Sequence, residues 1–376
     1  MIDVLIAGAG PAGSIAATVL ARAGARVLVL DRAQFPRPKL CGDTLNPGAL
    51  AVLDRLGLGC AAGASIPLAG MIVTGEGGIR VVGKYERASG RAISRSDLDA
   101  ALMMAAAGAG ARIEQGVLVQ GPVVDTSSRA PSVTGLRVTG AHGKPLDIPA
   151  RMVIAADGRY SRVARALGLS SAASWPRRWA IGAYFENVTG TTDFGEMHVR
   201  CTHYMGVAAL GKGLTNACVV TPNLAGRRPG EVLMTTLMRD PQLRDRFADA
   251  RMVTAPICLG PLAVDAAVAG ARGLLLAGDA AGFVDPITGD GVRFALRGAE
   301  LAAREALDAL EHGPDAAHVR LLALRRREFA AKWRFNRTMR WIVTYPAAIR
   351  AARYSAAMIP RLLQEAIRYA GDVHAA

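Results

Sequence analysis

A glycine-rich turn lies at the start of the chain, between a predicted strand and an alanine-rich segment. The run GAGPAG follows the strand Asp3–Ile6 and opens a predicted helix, Pro11–Ala23, in the spacing GxGxxG. Such a turn lets a pyrophosphate approach the backbone, and the first amides of the helix face its negative charge. The spacing therefore predicts a dinucleotide site. The expected ligand contacts are Gly8, Gly10, Pro11, Ala12 and Gly13.

An acidic residue completes this unit. Asp31 follows a second apolar strand, Arg26–Leu30, and stands where a carboxylate accepts the ribose hydroxyls of an adenosine. Strand, turn, helix, strand and terminal acid occur in the order that a βαβ nucleotide site requires. FAD and NAD share this unit, so the turn by itself leaves both cofactors open.

Two further aspartate–glycine pairs follow buried strands far along the chain. Asp157-Gly158 comes after the strand Met152–Ala156, and Gly278-Asp279 comes after Gly273–Ala277. A third segment, DPITGDGV, runs from residue 285 to 292 and leads into a predicted helix. A simple nicotinamide dehydrogenase would keep its nucleotide unit contiguous, so this wide separation favours a split site.

These segments resemble the middle DG motif, the late GD motif and the flavin-ring loop of the FAD superfamily of the para-hydroxybenzoate hydroxylase type. The resemblance implies FAD, with Asp279 on the ribityl chain and helix-start amides stabilising charge on the reduced ring. Arg95 resembles the superfamily arginine near the flavin and its diphosphate; the alternative is a solvent-exposed helix arginine. The further contacts we expect are Arg32, Val119, Asp157, Gly278, Pro286, Gly289, Asp290, Gly291 and Val292.

The loop PRPKLCGD, residues 36–43, indicates a branch of that superfamily. It resembles the P-x-x-K-x-C-G-[DE] motif of the geranylgeranyl reductases, which have flavin-dependent halogenases as relatives. The resemblance puts Cys41 and Gly42 beside the flavin and the substrate. Cys41 is then a proton donor with a lowered pKa, a positioning residue, or simply a small buried thiol. Lys39 either pairs with a flavin phosphate or is exposed.

The chain also departs from its relatives. The reductases' Y-x-W-x-F-P signature is missing, and the matching place, HYMGVA at residues 203–208, keeps only the tyrosine. The W-x-W-x-I-P signature of tryptophan halogenases is missing too. We therefore do not assign the family's substrate directly to this chain. His203 and Tyr204 are candidates for orienting a substrate or donating a proton, and a structural role is the alternative for each.

The element order predicts an α/β fold. We expect a Rossmann-like FAD-binding domain in three layers, with an inserted antiparallel β-sheet domain for the substrate and a helical C-terminal region. The predicted FAD-binding segments are 1–66, 92–175 and 266–312. The substrate segments are 67–91 and 176–265, and the helical region is 313–376.

Charge and composition limit the partners. The net charge is +14, and residues 319–376 contribute 12 Lys/Arg against 3 Asp/Glu. A solvated helical face, a peripheral membrane contact and nucleic-acid binding would each explain this charge, and the lack of a nucleic-acid motif disfavours the last. The sequence has no run that could span a membrane, and its five cysteines show neither a disulfide framework nor metal-ligand spacing. The first residues lack a basic stretch, so we do not expect a signal peptide. We expect a cytoplasmic protein without a metal.

The predicted function is an FAD-dependent oxidoreductase acting on a lipophilic small molecule, such as a polyprenyl, quinone or polyketide-like compound. We favour reduction or dehydrogenation through the flavin N5, with electrons from NAD(P)H or a separate reductase. The first alternative is a monooxygenase or halogenase that works through a C4a-hydroperoxide. A non-catalytic flavin-binding or lipid-carrier protein is the remote alternative.

Overall fold

The structure is a computed structural model that describes residues 1–63, 65–85, 89–127, 130–139, 143–173, 175–345, 347–349, 351 and 360–371. The helices are α1 Pro11–Arg22, α2 Pro47–Arg55, α3 Arg95–Gly108, α4 Arg162–Ala166, α5 Pro229–Arg239, α6 Gly291–His312, α7 Ala317–Ile342 and α8 Pro360–Ala370.

The strands belong to two large sheets and two small ones. The first eleven are β1 Ile2–Ala7, β2 Val27–Asp31, β3 Thr44–Leu45, β4 Ile66–Leu68, β5 Gly70–Thr74, β6 Arg80–Lys84, β7 Gly90–Ala92, β8 Arg112–Gln115, β9 Val119–Asp125, β10 Ser132–Thr139 and β11 Pro145–Ala155. The others are β12 Ser171–Ala172, β13 Trp179–Glu186, β14 Phe194–Val199, β15 Tyr204–Gly211, β16 Leu214–Thr221, β17 Arg251–Met252, β18 Ile257–Leu259, β19 Val264–Asp265, β20 Gly270–Ala271 and β21 Leu274–Leu276.

The first large sheet has the order β20-β21-β11-β1-β2-β8, with parallel pairs except for β20 with β21. The hairpin β9–β10 joins this sheet through an antiparallel pair of β10 with β11. Strand β1 is apolar on both faces because both are covered. Val4 and Ile6 join the core under helices α1, α3 and α6, while Leu5 and Ala7 join the core under the β9–β10 hairpin and α4. Helix, sheet and hairpin therefore form the three layers that the sequence predicts.

The second large sheet has the order β17-β13-β16-β15-β14-β5-β6, with β18 also paired to β13. Its pairs are antiparallel except for β14 with β5, which is parallel. Helix α5 packs against β13 and β16 through Val232, Leu233 and Leu237. The predicted α/β class, with a Rossmann-like sheet, a second antiparallel sheet and C-terminal helices, is confirmed.

The parallel sheet brings the chemical motifs to one edge. Ala7 pairs with both Leu30 and Ala155, and Ala155 pairs in turn with Leu276, so four strands end at nearly the same level. The residues that follow these ends are the glycine turn, Asp31, the DG pair and the GD pair. Segments up to about 270 residues apart in sequence thus meet at the carboxyl edge of the sheet, where α/β proteins bind ligands.

The glycine turn depends on two close backbone approaches. Gly8 has a φ of +96°, and a Cβ there would lie 2.5 Å from the carbonyl oxygen of Ala156. A Cβ on Gly13, in the first turn of α1, would lie 1.7 Å from the carbonyl oxygen of Gly8. Helix α1 can pack this tightly on β1 because position 13 lacks a side chain.

We therefore expect Gly13→Ala to lower the free energy of unfolding by about 3 kcal/mol, since the added methyl group must displace backbone in a packed core. Urea denaturation followed by circular dichroism measures this change. Gly108→Ala is the matched control: a Cβ at position 108, in the last turn of α3, meets nothing within 4 Å. The control should be neutral or stabilise by up to about 1 kcal/mol. Equal stability of the two variants would contradict the packing argument.

Candidate active site

A single cavity of about 990 Å³ extends from the glycine turn to the second sheet and the C-terminal helices. Its volume is at the upper end of the range for a pocket that holds one small ligand. Most of the predicted cofactor contacts lie on its wall. They are Gly8, Gly10, Pro11, Ala12, Asp31, Arg32, Lys39, Cys41, Gly42, Arg95, Val119, Asp157, Gly278, Asp279, Pro286, Gly289, Gly291 and Val292.

The glycine turn presents open backbone to this cavity. Gly10 is the N-cap of α1, and the nearest atom to a Cβ built there is Nη2 of Arg37 at 3.4 Å. An anion that reaches Gly10 would meet backbone amides, the helix N-terminus and a guanidinium group together. Gly13 lies behind this surface and shapes the turn without lining the cavity. These groups fit the diphosphate of FAD.

Asp31 lies at the end of β2 and organises the loops around the adenosine side of the cavity. Its carboxylate accepts hydrogen bonds from the backbone amides of Ala9 and Ala33, both at 2.8 Å. Each carboxylate oxygen can accept more than one hydrogen bond, so Asp31 can still bind ribose hydroxyls. Its neighbour Arg32 is exposed at the rim, and Val119 is buried in the wall opposite.

The DG and GD motifs meet through an arginine that the sequence analysis did not select. Arg159 is 9% exposed, its Nη2 lies 3.4 Å from Asp279 Oδ2, and its guanidinium lies over the ring of Phe283. Within the described residues, Nε and Nη1 of Arg159 and Oδ1 of Asp157 have no hydrogen-bond partner. Buried groups of this kind are normally bonded, so these atoms point to a polar ligand such as the cofactor. The position directly after the DG pair is the sequence signal that marks Arg159.

Cations converge on the same part of the cavity. Arg95 and Arg37 both form ion pairs with the fully buried Asp99, at 2.8 and 3.2 Å. Lys39 is half-buried beside them. Burial, together with the charges of Arg95, Arg159 and Arg37, lowers the pKa of Lys39 to about 8, against the opposing effect of Asp279. Lys39 therefore lies in an electropositive wall that would attract a diphosphate, and Arg95 is not a solvent-exposed arginine.

Cys41 lies on the cavity wall between Arg95 and the second sheet. Burial raises the pKa of the Cys41 thiol, and the carboxylate of Asp43 raises it further. The charge of Arg95 and the amide of Asp43 lower the pKa of the thiol, but their combined effect is smaller, so the pKa stays above its ordinary value. The sequence-based expectation of a lowered pKa is therefore wrong, because it counted the nearby cation and not the burial. At neutral pH Cys41 carries its proton.

Tyr204 connects the second sheet to the flavin-ring loop. It is 2% exposed, and its hydroxyl donates a hydrogen bond of 2.5 Å to Asp285 Oδ1. Asp285 Oδ1 also accepts from the amide of Ile287 and so caps the short turn Pro286–Thr288. Burial raises the pKa of Tyr204, and the charge of Asp285 adds to this effect, so the hydroxyl keeps its proton. The contact fixes the loop that carries Pro286 and Gly289.

Two predicted site residues, His203 and Asp290, have other surroundings, and so does the nearby His198. His203 lies outside this cavity, beside a second pocket of about 680 Å³ that Arg239 also lines. His198 is buried between Thr74 and Glu196, to which its ring nitrogens bond at 2.8 and 3.0 Å. Asp290 lies behind the flavin-ring loop, where it accepts a hydrogen bond from Asn46 at 3.1 Å.

The last helix closes one side of the cavity. Leu363 and Ile367 of α8 face the same space as Phe335 and Met339 of α7. The carbonyl of Ala370, at the end of α8, accepts hydrogen bonds from Asn46 Nδ2 at 3.2 Å and from Lys332 Nζ at 3.1 Å. These aromatic and aliphatic residues give the far part of the cavity an apolar wall.

Several basic residues of the C-terminal region form hydrogen bonds within the protein. Arg325 is buried and donates to the carbonyl of Ala281, Lys332 holds the end of α8, and Arg340 donates to the carbonyl of Pro176. Arg334 and Arg337 are exposed on α7. None of the helices within the described residues has the length and hydrophobicity that a membrane crossing requires.

The sequence matches the family described as FAD binding domain over residues 1–318. The chain belongs to this family. The menaquinone reductase of Mycobacterium tuberculosis is 33% identical over 333 residues, which cover 82% of this chain and 76% of that protein. The digeranylgeranylglycerophospholipid reductase of Methanoculleus marisnigri is 29% identical over 354 residues, 89% of this chain and 82% of that protein.

Among solved structures, the flavin-dependent brominase Bmp2 superposes with a TM-score of 0.84 at 21% identity, covering 98% of this chain and 93% of that one. This likeness shows the shared fold. Both of these sequence relatives are reductases, so an FAD-dependent oxidoreductase of the reductase type is confirmed, as is the resemblance to the geranylgeranyl reductase branch. Bound FAD would be held by the glycine turn, Asp31, Arg159 and Asp279.

We expect Tyr204→Phe to lower the free energy of unfolding by about 2 kcal/mol, because it removes one of the two hydrogen-bond donors to a buried carboxylate oxygen. Urea denaturation of the FAD-saturated protein measures the loss, and the FAD dissociation constant should rise as the loop at Pro286–Thr288 loosens. Tyr345→Phe, at a tyrosine that is 38% exposed, is the control and should stay within about 0.5 kcal/mol of the wild type. An unchanged stability in Tyr204→Phe would show that this bond does not hold the loop.

Proposed function

We propose that this protein reduces a carbon–carbon double bond of a lipophilic substrate, a polyprenyl lipid or a quinone. The observation that carries the proposal is the continuity of the cavity. One end has the glycine turn and the cations that fit a diphosphate, the far end has an apolar wall, and Cys41 lies between them. The names of the relatives specify a quinone in one case and a glycerophospholipid with geranylgeranyl chains in the other, and both are lipophilic.

The chain contributes binding, orientation and a proton. FAD, once reduced, supplies the hydride that the double bond receives. The second carbon of the bond then needs a proton, and Cys41 carries one on the cavity wall at neutral pH. The apolar wall formed by α7 and α8 excludes water and holds the hydrocarbon part of the substrate.

The proposal has two further parts, the source of the electrons and the cellular compartment. We propose that NAD(P)H, bound transiently, or a separate flavin reductase reduces the cofactor. All five cysteines are free of disulfides, as suits a protein of the reducing cytoplasm.

Cys41→Ser should lower kcat for double-bond reduction by about 10²-fold, the lower end of what a positioned general acid contributes. The assay uses dithionite-reduced enzyme without oxygen and scores a gain of two hydrogens in the product by mass spectrometry. The FAD content and the substrate KM should stay near the wild-type values. Full turnover in the variant would remove Cys41 from the chemistry. A product that gains oxygen or halogen, and forms in air alone, would favour the oxygen-dependent alternative.

We also propose that a face of α7 rests on an anionic membrane surface, where lipophilic substrates reside. Trp341 is 56% exposed and its ring lies 5.4 Å from that of Tyr345, which in turn contacts Trp175, itself 62% exposed. The exposed Arg334 and Arg337 precede Trp341 by seven and four residues and thus share its helix face. Aromatic rings beside arginines are typical of surfaces that lie at a lipid interface.

Sedimentation with phosphatidylcholine vesicles, with and without phosphatidylserine, tests this contact. Binding should require phosphatidylserine, and Arg334→Gln or Arg337→Gln should each weaken it about fivefold, as one cation near an anionic surface contributes about 1 kcal/mol. Arg137→Gln is the control, since Arg137 is exposed on β10 and paired with Asp147. Equal binding to neutral vesicles, or equal effects of all three variants, would refute the proposal.

A further inference from the structure

Asp43, the last residue of the PRPKLCGD loop, is buried directly behind the cavity wall. It is 1% exposed and has a φ of +55°, in the left-handed region that residues other than glycine seldom adopt. Such a conformation persists where the surrounding contacts fix it. The carboxyl group does not face the cavity, so a direct role toward a bound substrate is not its function.

The contacts of Asp43 come from both halves of the molecule. Asn216 donates to Asp43 Oδ2 at 2.5 Å and to the carbonyl of Cys41 at 3.0 Å. The amide of Arg95 donates to Asp43 Oδ1 at 3.1 Å, and the side chain of Tyr184 interacts electrostatically with the same carboxylate. Tyr184 and Asn216 are register partners on β13 and β16. The second sheet thus presents two adjacent polar side chains to the loop that carries Cys41.

The same cluster surrounds the thiol. Electrostatic interactions with Arg95 and Asp43 act on the Cys41 thiol. The other ionisable groups that face it are Tyr184 on β13 and Cys218 on β16. Among these groups Arg95 carries a positive charge and Asp43 a negative one. The positive charge of Arg95 would stabilise a thiolate, and the carboxylate of Asp43 acts against it.

We propose that Asp43 is a positioning residue whose buried carboxylate holds Cys41 in its protonated form against the cavity. The donors Asn216 and the amide of Arg95 keep the carboxylate in place, and the carboxylate adds to the effect of burial in keeping the proton on the sulfur. This inference rests on the proposed function, in which Cys41 supplies a proton to the substrate. The pKa of Asp43 itself is raised to about 6 by burial, so the group is charged at neutral pH and above.

The test is the pH dependence of Cys41 alkylation by iodoacetamide, followed for each cysteine by peptide mass spectrometry on the purified flavoprotein. Asp43→Asn removes the charge while keeping an oxygen acceptor, and asparagine tolerates the left-handed conformation well. The variant should shift the Cys41 profile toward lower pH. A fall of one pKa unit gives about tenfold more thiolate but a weaker nucleophile, so the labelling rate at pH 8 should rise about threefold.

Three comparisons make the result specific. Asp43→Glu keeps the charge and should restore the wild-type profile, while Asp240→Asn removes a buried carboxylate that pairs with Arg200, remote from the thiol, and should leave it unchanged. The exposed Cys60 is the internal reference for reagent activity. Asp43→Ser supplies the same test should the asparagine variant fail to fold.

A wild-type Cys41 profile in a folded, uncharged variant overturns the proposal, as does an equal shift in Asp240→Asn. Because labelling needs no substrate, its outcome is independent of whether the reductase assay succeeds.

Discussion

The parallel pairing of β1 with β2 and β11, and of β11 with β21, is the constraint on which the rest of the molecule depends. Hydrogen bonds between these strands fix Leu30, Ala7, Ala155 and Leu276 at one level, so the residues that follow each strand share one edge. A shift of register in any strand would move its motif away from the others. The position of the site therefore depends first on the alignment of the strands and only then on individual side chains.

The second sheet completes the cavity by reaching back to the loops of the first. Asn216 and Tyr184 bind Asp43 on one side, and Tyr204 binds Asp285 on the other. Each contact joins a tyrosine or an amide on the sheet to an aspartate in a loop beside the predicted cofactor. Because these groups are buried, every broken contact would leave a polar atom without a partner, which is costly in a low-dielectric interior. The two halves are consequently held in one relative position around the ligand space.

Much of the fold was predictable because its signals are local. The strand, turn and helix around Gly8–Gly13 follow from periodicity and glycine spacing. Helix α3 likewise follows a serine cap, Ser94, whose hydroxyl accepts from the amide of Asp97. Arg159 was missed because its partner Asp279 lies 120 residues away and is brought near by the sheet alone. The pKa direction of Cys41 failed for a similar reason. A sequence shows a neighbouring charge, whereas the burial that raises the pKa of the thiol emerges from tertiary packing.

The anchoring of α8 links two parts of the molecule that evolution would otherwise adjust separately. Asn46 holds the carbonyl of Ala370 and also binds Asp290, which stands behind the flavin-ring loop. Lys332 contacts the same pair of groups. Helix α8 meanwhile contributes Leu363 and Ile367 to the apolar wall. A change in the packing of α8 is thus coupled to the groups behind the loop that carries Pro286 and Gly289, because Asn46 and Lys332 contact both.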